Sequence, residues 1–120
     1  VLARVGLLEV ESRAVGGFSK GMKQRLALAQ ALLGAPDLLL LDEPADGLDP
    51  HGVALLAGVL RGERARGAAV VMTTHFLQRL EMESDRCVLL VGGRVRFQGT
   101  GEALAARGGA EKVFLTEVPA

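Results

Sequence analysis

The chain has 120 residues, of which 49% are hydrophobic and 23% are charged, and this composition fits one globular domain or part of one. Fourteen basic residues balance fourteen acidic ones and are scattered along the chain, so nucleic acid is not an expected partner. A single cysteine excludes an internal disulfide, and neither histidine has a cysteine pair nearby, which disfavours a structural zinc site. No apolar run approaches the roughly 20 residues that span a bilayer, so any membrane role would act through a partner.

The first predicted elements are two helices. Apolar residues with helical spacing predict a short helix within Val1–Val10, which two glycines separate from the next element. Ser19 is a suitable N-cap for a second, longer helix. A glycine and a proline shortly after Leu33 predict where this helix stops. Its apolar residues recur at intervals of three and four, and they are Met22, Leu26, Ala29 and Leu33.

Two buried strands with polar ends are predicted next, separated by a helix. The four leucines of Leu38–Leu41 predict a strand buried on both faces, as in a parallel sheet that helices cover. Asp49 and the proline after it mark the start of a helix. The second strand covers Ala68–Met72. Because ligands bind at the carboxyl ends of strands in such sheets, the polar residues after both strands are expected to share one edge of an α/β fold.

The last third of the chain predicts a hairpin with helical and extended flanks. Cys87–Val91 and Arg94–Gln98 are joined by two glycines, and this hairpin is expected to give the sheet an antiparallel end. Cys87 lies in an apolar run, so it is predicted to be a core residue. The remaining predictions are a short helix over Phe76–Met82, a helix over Gly101–Arg107 and a strand over Lys112–Val118.

Polar residues after the first strand offer the chemistry of nucleotide hydrolysis. Of the adjacent Asp42 and Glu43, one carboxylate could hold a hydrated magnesium ion while the other deprotonates a water. Neighbouring strand residues point to opposite faces, so their roles should differ, and a plain polar turn is the alternative. Ser19 and Gly21 at a helix start suit a phosphate, although an isolated Ser-x-Gly is more often only an N-cap. His75 is either a phosphate donor or the start of a helix.

A calcium-binding loop is a rival interpretation of the same segment. Asp42, Asp46 and Gly47 occupy the first, fifth and sixth positions of that pattern. Pro44, however, takes a ligand position, and Val53 stands where the pattern needs a bidentate glutamate. We therefore expect no calcium loop here.

Four segments together resemble the nucleotide-binding domains of ABC transporters. FSKGM is similar to the signature motif, usually written LSGGQ, and LLLLDEP is similar to the Walker B strand. ADGLD resembles the D-loop, and the histidine of TTHF resembles the switch histidine. The resemblance covers about Val1–Thr100, with the segments in matching order. It implies a P-loop NTPase-like α/β sheet with helices on both faces, of which this chain is expected to supply the C-terminal part.

The resemblance also implies ATP and Mg²⁺ as cofactors and a role for seven residues. Glu43 would be the general base, and His75 would bridge to the γ-phosphate. Asp42 would bind magnesium through water. Four residues would bind, or communicate with, ATP held by a second ATPase subunit in a head-to-tail dimer, namely Ser19, Lys20, Gly21 and Asp49.

Three positions depart from the usual pattern of that family. Lys20 replaces the first glycine of the signature motif, and Met22 replaces its glutamine. The form with methionine is familiar in export-type members, so the resemblance favours an exporter. Ala45 stands where threonine or serine is common, without an obvious catalytic cost.

Other parts of the family's site are not found in this sequence. It contains no G-x-x-x-x-G-K-S/T loop (the Walker A motif) to cradle phosphates, and neither the adenine-stacking aromatic nor the Q-loop is identified. Residues 1–120 are therefore expected to be a partial ATP-binding domain that does not hydrolyse ATP alone. Transmembrane permease subunits are implied as partners, with a cytoplasmic location on the inner face of the cell membrane. A soluble ATPase acting on ribosomes or DNA and a non-enzymatic binding module are the alternatives.

Overall fold

The computed structural model describes residues 1–76 and 84–117, which divide between two compact units, Val1–Thr74 and His75–Ala120. The first unit begins with 3-10 turns at Leu8–Val10 and Val15–Gly17 and continues with α1 (Lys20–Leu32), β1 (Leu38–Asp42), α2 (Pro50–Ala65) and β2 (Ala69–Thr73). The second unit contains β3 (Cys87–Val91), β4 (Arg94–Gly99), α3 (Gly101–Ala106) and α4 (Ala110–Glu117). No described helix is long and apolar enough to cross a bilayer.

Helix α1 begins where the sequence predicts. The Ser19 hydroxyl oxygen accepts a hydrogen bond from the Met22 backbone N–H at 3.1 Å, which satisfies one of the donors that a helix start leaves open. The prediction for Leu33 is wrong, because the helix ends at Leu32 and Leu33 turns to an extended conformation with 63% of its surface exposed. The buried face of the helix consists of Leu28, Ala29 and Leu32.

Strands β1 and β2 are parallel neighbours in register from Leu38–Ala69 to Asp42–Thr73. Leu39 is 2% exposed and packs in a core with residues of both helices and the N-terminal turns. The register places Asp42 and Thr73 side by side at the carboxyl edge. The expected shared edge of polar residues is therefore confirmed for the strand ends of the first unit.

Burial of β1 on both faces is wrong for the described part of this unit. Leu40 is 70% exposed and Val71 on the neighbouring strand is 57% exposed. Helices α1 and α2 both contribute to the core that contains Leu39, so alternate strand residues, which point the other way, are left uncovered among the described residues. Leu38, at 51% exposed, extends this apolar face.

Such a face predicts self-association of the purified chain, because exposed apolar strands bind one another. We expect Leu40→Lys to shift the chain toward monomer in sedimentation velocity, at little cost in stability since the side chain is already exposed. Leu115→Lys is the matched control, because Leu115 is 65% exposed but lies in α4 of the second unit. Equal sedimentation of both variants would show that the β1–β2 face is not the contact.

The predicted hairpin is confirmed, but its place in the sheet is not. Gly92 and Gly93 have φ values of 58° and 76°, the left-handed conformation that a two-residue hairpin turn requires. In the described part of the chain, β3 and β4 form a separate two-stranded antiparallel sheet rather than the end of a larger one. The reason lies in its own helices: β3 alternates buried and exposed residues, and its buried side packs with α3 and α4.

The tail is a helix where a strand was predicted. Gly108 and Gly109, with φ near 94° and 95°, reverse the chain, and Ala110 and Val113 then bury one helical face at 1% and 2% exposure. Cys87 is 6% exposed in the same core, as predicted. The N-terminal helix was also wrong, since that segment forms turns around Gly6 at φ 72° and a 3-10 turn. The helix predicted over Phe76–Met82 falls largely on residues 77–83, outside the described part.

Candidate functional site

The carboxyl edge of the first unit carries the two predicted carboxylates. Asp42 is the last residue of β1 and is exposed. Thr73, at the end of β2, donates its hydroxyl proton to Asp42 Oδ1. The same Thr73 oxygen accepts the backbone N–H of Glu43 at 3.0 Å. One threonine therefore orients the first carboxylate and holds the backbone of the second.

Glu43 leaves the strand in an unusual conformation. Its φ is 48°, a left-handed value that residues with a Cβ rarely adopt. The expectation that Asp42 and Glu43 alternate across a strand is therefore wrong, because β1 ends at Asp42. The Glu43 carbonyl oxygen accepts a hydrogen bond from Gln24 Nε2 of α1 at 3.0 Å. The direction of the Glu43 side chain is therefore set by this turn and its hydrogen bonds, and not by the alternation of residues along a strand.

The start of α1 lies against the loop that connects β1 to α2. Lys20 Nζ is 3.2 Å from Asp46 Oδ2, an exposed ion pair. A Cβ added at Gly21 would lie 3.2 Å from the carbonyl oxygen of Gly47, so the small residue permits the close approach. Gly47 itself has φ 79°, and a Cβ there would lie 2.9 Å from Cδ of Lys20. Ser19, Lys20 and Gly21 are thus fixed beside the segment that follows the carboxylates.

Asp49 caps α2, as predicted. Its Oδ1 accepts the backbone N–H of Gly52 at 2.7 Å and also lies 3.7 Å from Nη2 of Arg25. Arg25 belongs to α1, so a second charged contact joins that helix to the loop. Its Nε is buried without a hydrogen-bond partner. Asp49 therefore belongs to the same assembly as the start of α1.

His75 is placed by the structure in the second unit, of which it is the first residue. It is exposed, and its ring centroid lies 4.3 Å from that of Phe76 at an interplanar angle of 32°. The other predicted residues lie in the first unit, joined through the loop after β1. They are Ser19, Lys20, Gly21, Asp42, Glu43 and Asp49.

Gln24 is a residue that the sequence analysis missed, whereas Thr73 was expected at the shared edge without a role of its own. No local pattern shows that the Gln24 side chain reaches a residue 19 positions later. Thr73 follows the predicted strand Ala68–Met72, so it was among the polar residues expected at that edge. Once two parallel strands are predicted, the residue that ends the second strand is expected beside the carboxylate that ends the first.

The edge residues fit a magnesium site with few protein ligands. Among the described residues, no group of three or more His, Cys, Asp or Glu side chains is placed to hold a metal together. Mg²⁺ with a nucleotide commonly uses one or two carboxylates and completes its shell with water and phosphate oxygens. Asp42 meets this need, since its carboxylate is exposed and the Thr73 hydroxyl orients it from the outer shell.

Comparison with known proteins identifies the kind of domain to which this geometry belongs. A domain family described as "AAA domain, putative AbiEii toxin, Type IV TA system" matches residues 7–76. A solved structure entitled "Structure of ATP binding subunit of ABC transporter" is 31% identical, with a TM-score of 0.84 over 96% of this chain and 50% of that one. The fold is accordingly part of a P-loop NTPase-like ABC ATPase domain.

The names of two curated relatives are consistent with this assignment. The Nod factor export ATP-binding protein I of Rhizobium sp. (strain N33) is 46% identical over 98 residues, which is 79% of this chain and 32% of that protein. A probable anion import ATP-binding protein of Haloferax volcanii is 40% identical over 103 residues, 86% of this chain and 36% of the relative. The chain belongs to the AAA domain family and to the ATP-binding proteins of ABC transporters. It spans about a third of the length of these curated relatives.

Proposed function

We propose that this chain contributes the signature, magnesium-binding and base-bearing part of an ATP-hydrolysing subunit of an export-type ABC transporter. The observation that carries the proposal is the convergence of three predicted segments in one unit. The start of α1, the carboxylates after β1 and the loop ending at Asp49 contact one another through Lys20–Asp46, Gln24–Glu43 and Arg25–Asp49. An N-cap or a polar turn alone would not require the three to meet.

The carboxylates would divide the work of hydrolysis. Asp42 would hold Mg²⁺, which when bound neutralises charge on the β- and γ-phosphate oxygens. Glu43 would orient a water and accept its proton as the water oxygen attacks the γ-phosphorus. The bond from that phosphorus to the β–γ bridging oxygen breaks, and ADP and phosphate leave. Such proton transfer needs Glu43 directed toward the water.

The start of α1 would serve a nucleotide bound by a second subunit. Ser19 is exposed, and although its oxygen accepts the Met22 N–H, its hydroxyl proton remains available to a γ-phosphate oxygen. Gly21 lets the loop after the carboxylates lie close to the helix start, and Lys20 adds a positive charge at 72% side-chain exposure. In the same proposal His75 would donate to the γ-phosphate and Asp49 would link the two sites of a head-to-tail dimer.

A transporter role implies further partners. ATP hydrolysis would drive transport by transmembrane permease subunits. Contact with these subunits would hold the chain on the cytoplasmic side of the membrane. The Rhizobium relative's name specifies export and the Haloferax relative's name specifies import. We favour export because the chain has the S-x-G-M-x-Q-R form of the signature motif.

A hybrid protein tests the proposal. This chain would replace the 98-residue segment of the Rhizobium protein to which it is 46% identical, so that the relative supplies the remaining parts of an ATP site. We expect the hybrid to hydrolyse ATP in the presence of Mg²⁺ and the purified 120-residue chain alone to show no turnover. A folded hybrid that binds ATP without hydrolysing it would contradict the proposal.

A further inference from the structure

Both backbone polar groups of Glu43 form hydrogen bonds with side chains of other elements. Its N–H donates to the Thr73 hydroxyl oxygen at 3.0 Å, and its carbonyl oxygen accepts from Gln24 Nε2 at 3.0 Å. The two partners come from different elements, β2 and α1, and stand 30 and 19 positions away in sequence. The same carbonyl oxygen also accepts the backbone N–H of Asp46 at 3.1 Å, so a local turn and two tertiary contacts together hold the Glu43 backbone.

That conformation needs such support. A left-handed φ of 48° is unfavourable for a residue with a Cβ, and it persists where the surrounding structure determines it. Proline follows at position 44, so the chain cannot continue the parallel ladder through the next N–H. Loss of the Thr73 and Gln24 contacts would leave this conformation less firmly held, and the direction of the Glu43 side chain would be less well fixed.

The hydroxyl of Thr73 also links Glu43 to Asp42. A hydroxyl has one proton, which Thr73 donates to Asp42 Oδ1, and its lone pair then accepts the Glu43 N–H. The ionised carboxylate can only accept and the amide can only donate, so the direction of both bonds is fixed. The Thr73 hydroxyl oxygen thus orients the Asp42 carboxylate and also holds the Glu43 backbone.

We propose that Thr73 and Gln24 are positioning residues that together hold the Glu43 carboxylate in the direction needed to accept a proton from water. This role rests on the proposed hydrolysis, in which Glu43 is the base. Gln24 lies on α1, whose N-cap is Ser19, so the element expected to meet the nucleotide of a second subunit also holds the base. Movement of that helix would change the direction of Glu43.

Isosteric substitutions separate hydrogen bonding from packing. In the hybrid protein, Thr73→Val keeps the shape and removes the hydroxyl, while Thr73→Ser keeps the hydroxyl. Gln24→Met removes the amide donor at similar length, while Gln24→Lys restores a donor. We expect Thr73→Val and Gln24→Met to lower kcat about 10- to 100-fold with little change in KM, as loss of an outer-shell partner does. Thr73→Ser and Gln24→Lys should retain most activity.

The purified 120-residue chain supplies a readout that is independent of activity. Proline nitrogens resonate apart from other amides, and the chain has only four prolines, so the Glu43 carbonyl–Pro44 nitrogen correlation can be resolved by carbon-detected NMR. We expect Gln24→Met to shift this signal and Gln24→Lys to shift it less. Gln30→Met, on an exposed position of the same helix, is the matched control and should leave it unchanged.

The outcomes separate the two proposals. A wild-type hybrid that fails to hydrolyse ATP would end the proposed function, and the positioning role with it. An active hybrid whose Thr73→Val and Gln24→Met variants keep the wild-type kcat would overturn only the positioning role. Equal losses in the isosteric and restoring variants would also overturn it, because packing rather than hydrogen bonding would then be responsible.

Discussion

Glu43→Gln in the hybrid protein is expected to lower the rate of ATP hydrolysis about 10²- to 10⁴-fold, the contribution of a positioned general base. Glutamine keeps the size of the side chain and cannot accept a proton from the attacking water at neutral pH. The backbone bonds of Glu43 to Thr73 and Gln24 do not involve its side chain, so the substituted residue should hold the same conformation. ATP affinity should therefore change little.

The measurement is single-turnover hydrolysis together with an independent ATP-binding titration. Glu11→Gln is the control, because Glu11 is exposed in the N-terminal turns and is not among the predicted site residues. Hydrolysis that persists in Glu43→Gln within a few fold of wild type would reject Glu43 as the base. Loss of both hydrolysis and ATP binding would point to a structural defect in the variant, which circular dichroism would reveal.

Glu63→Gln is expected to lower the free energy of unfolding by about 1–3 kcal/mol at neutral pH, since it removes charge from hydrogen bonds to two arginines. Glu63 is 3% exposed, with Oε1 2.8 Å from Nη1 of Arg4 and Oε2 2.7 Å from Nη2 of Arg66. Arg66 also donates to the Pro36 carbonyl oxygen. One carboxylate therefore joins the N-terminal turns, α2 and the approach to β1.

The pH dependence of this effect follows from the lowered pKa of Glu63. The hydrogen bonds from Arg66 and then Arg4 lower the pKa of Glu63 below the ordinary value of a glutamate, although burial opposes them. A carboxyl whose pKa is lower in the folded state contributes stability above its unfolded pKa and loses it as the pH falls through the folded value. The difference in urea midpoint between wild type and Glu63→Gln should be full at pH 7 and shrink below about pH 4.5.

The matched control for this titration is Glu11→Gln, since Glu11 is exposed and its substitution should change stability by no more than about 0.5 kcal/mol. Urea unfolding followed by circular dichroism between pH 3 and pH 7 provides the comparison. A Glu63→Gln defect that stays constant across this range would mean that the carboxylate charge contributes nothing and that shape alone matters.

Local signals predicted the elements that depend on neighbouring residues. The caps Ser19 and Asp49 are visible in sequence because each residue bonds an N–H only three positions away. The glycine pair of the hairpin is equally local, since the turn itself requires φ above zero. The motif order, read in the same way, led to the family that the comparisons show.

Features that depend on distant partners were not predictable. Whether Leu40 is buried depends on what covers its side of the β1–β2 sheet. Both helices of the unit pack on the opposite side, with Leu39. In the tail a strand was predicted over Lys112–Val118, but packing of Ala110 and Val113 on the hairpin favours a helix. The left-handed turn at Glu43 was missed because two of its partners, Gln24 and Thr73, lie on other elements. The roles of the site residues remain predictions.

The close contact of Lys20 with Gly47 ties the identities of two positions that lie far apart in the sequence. The stem of Lys20 fills the space where residue 47 would carry a Cβ, with Cγ, Cδ and Cε all within 3.0 Å of it. A glycine at position 20, usual in the signature motif, would vacate that space. A side chain at position 47 would therefore displace the stem of Lys20 and would also have to adopt the left-handed φ of 79°, so the lysine that departs from the motif adds a second reason for glycine in the loop.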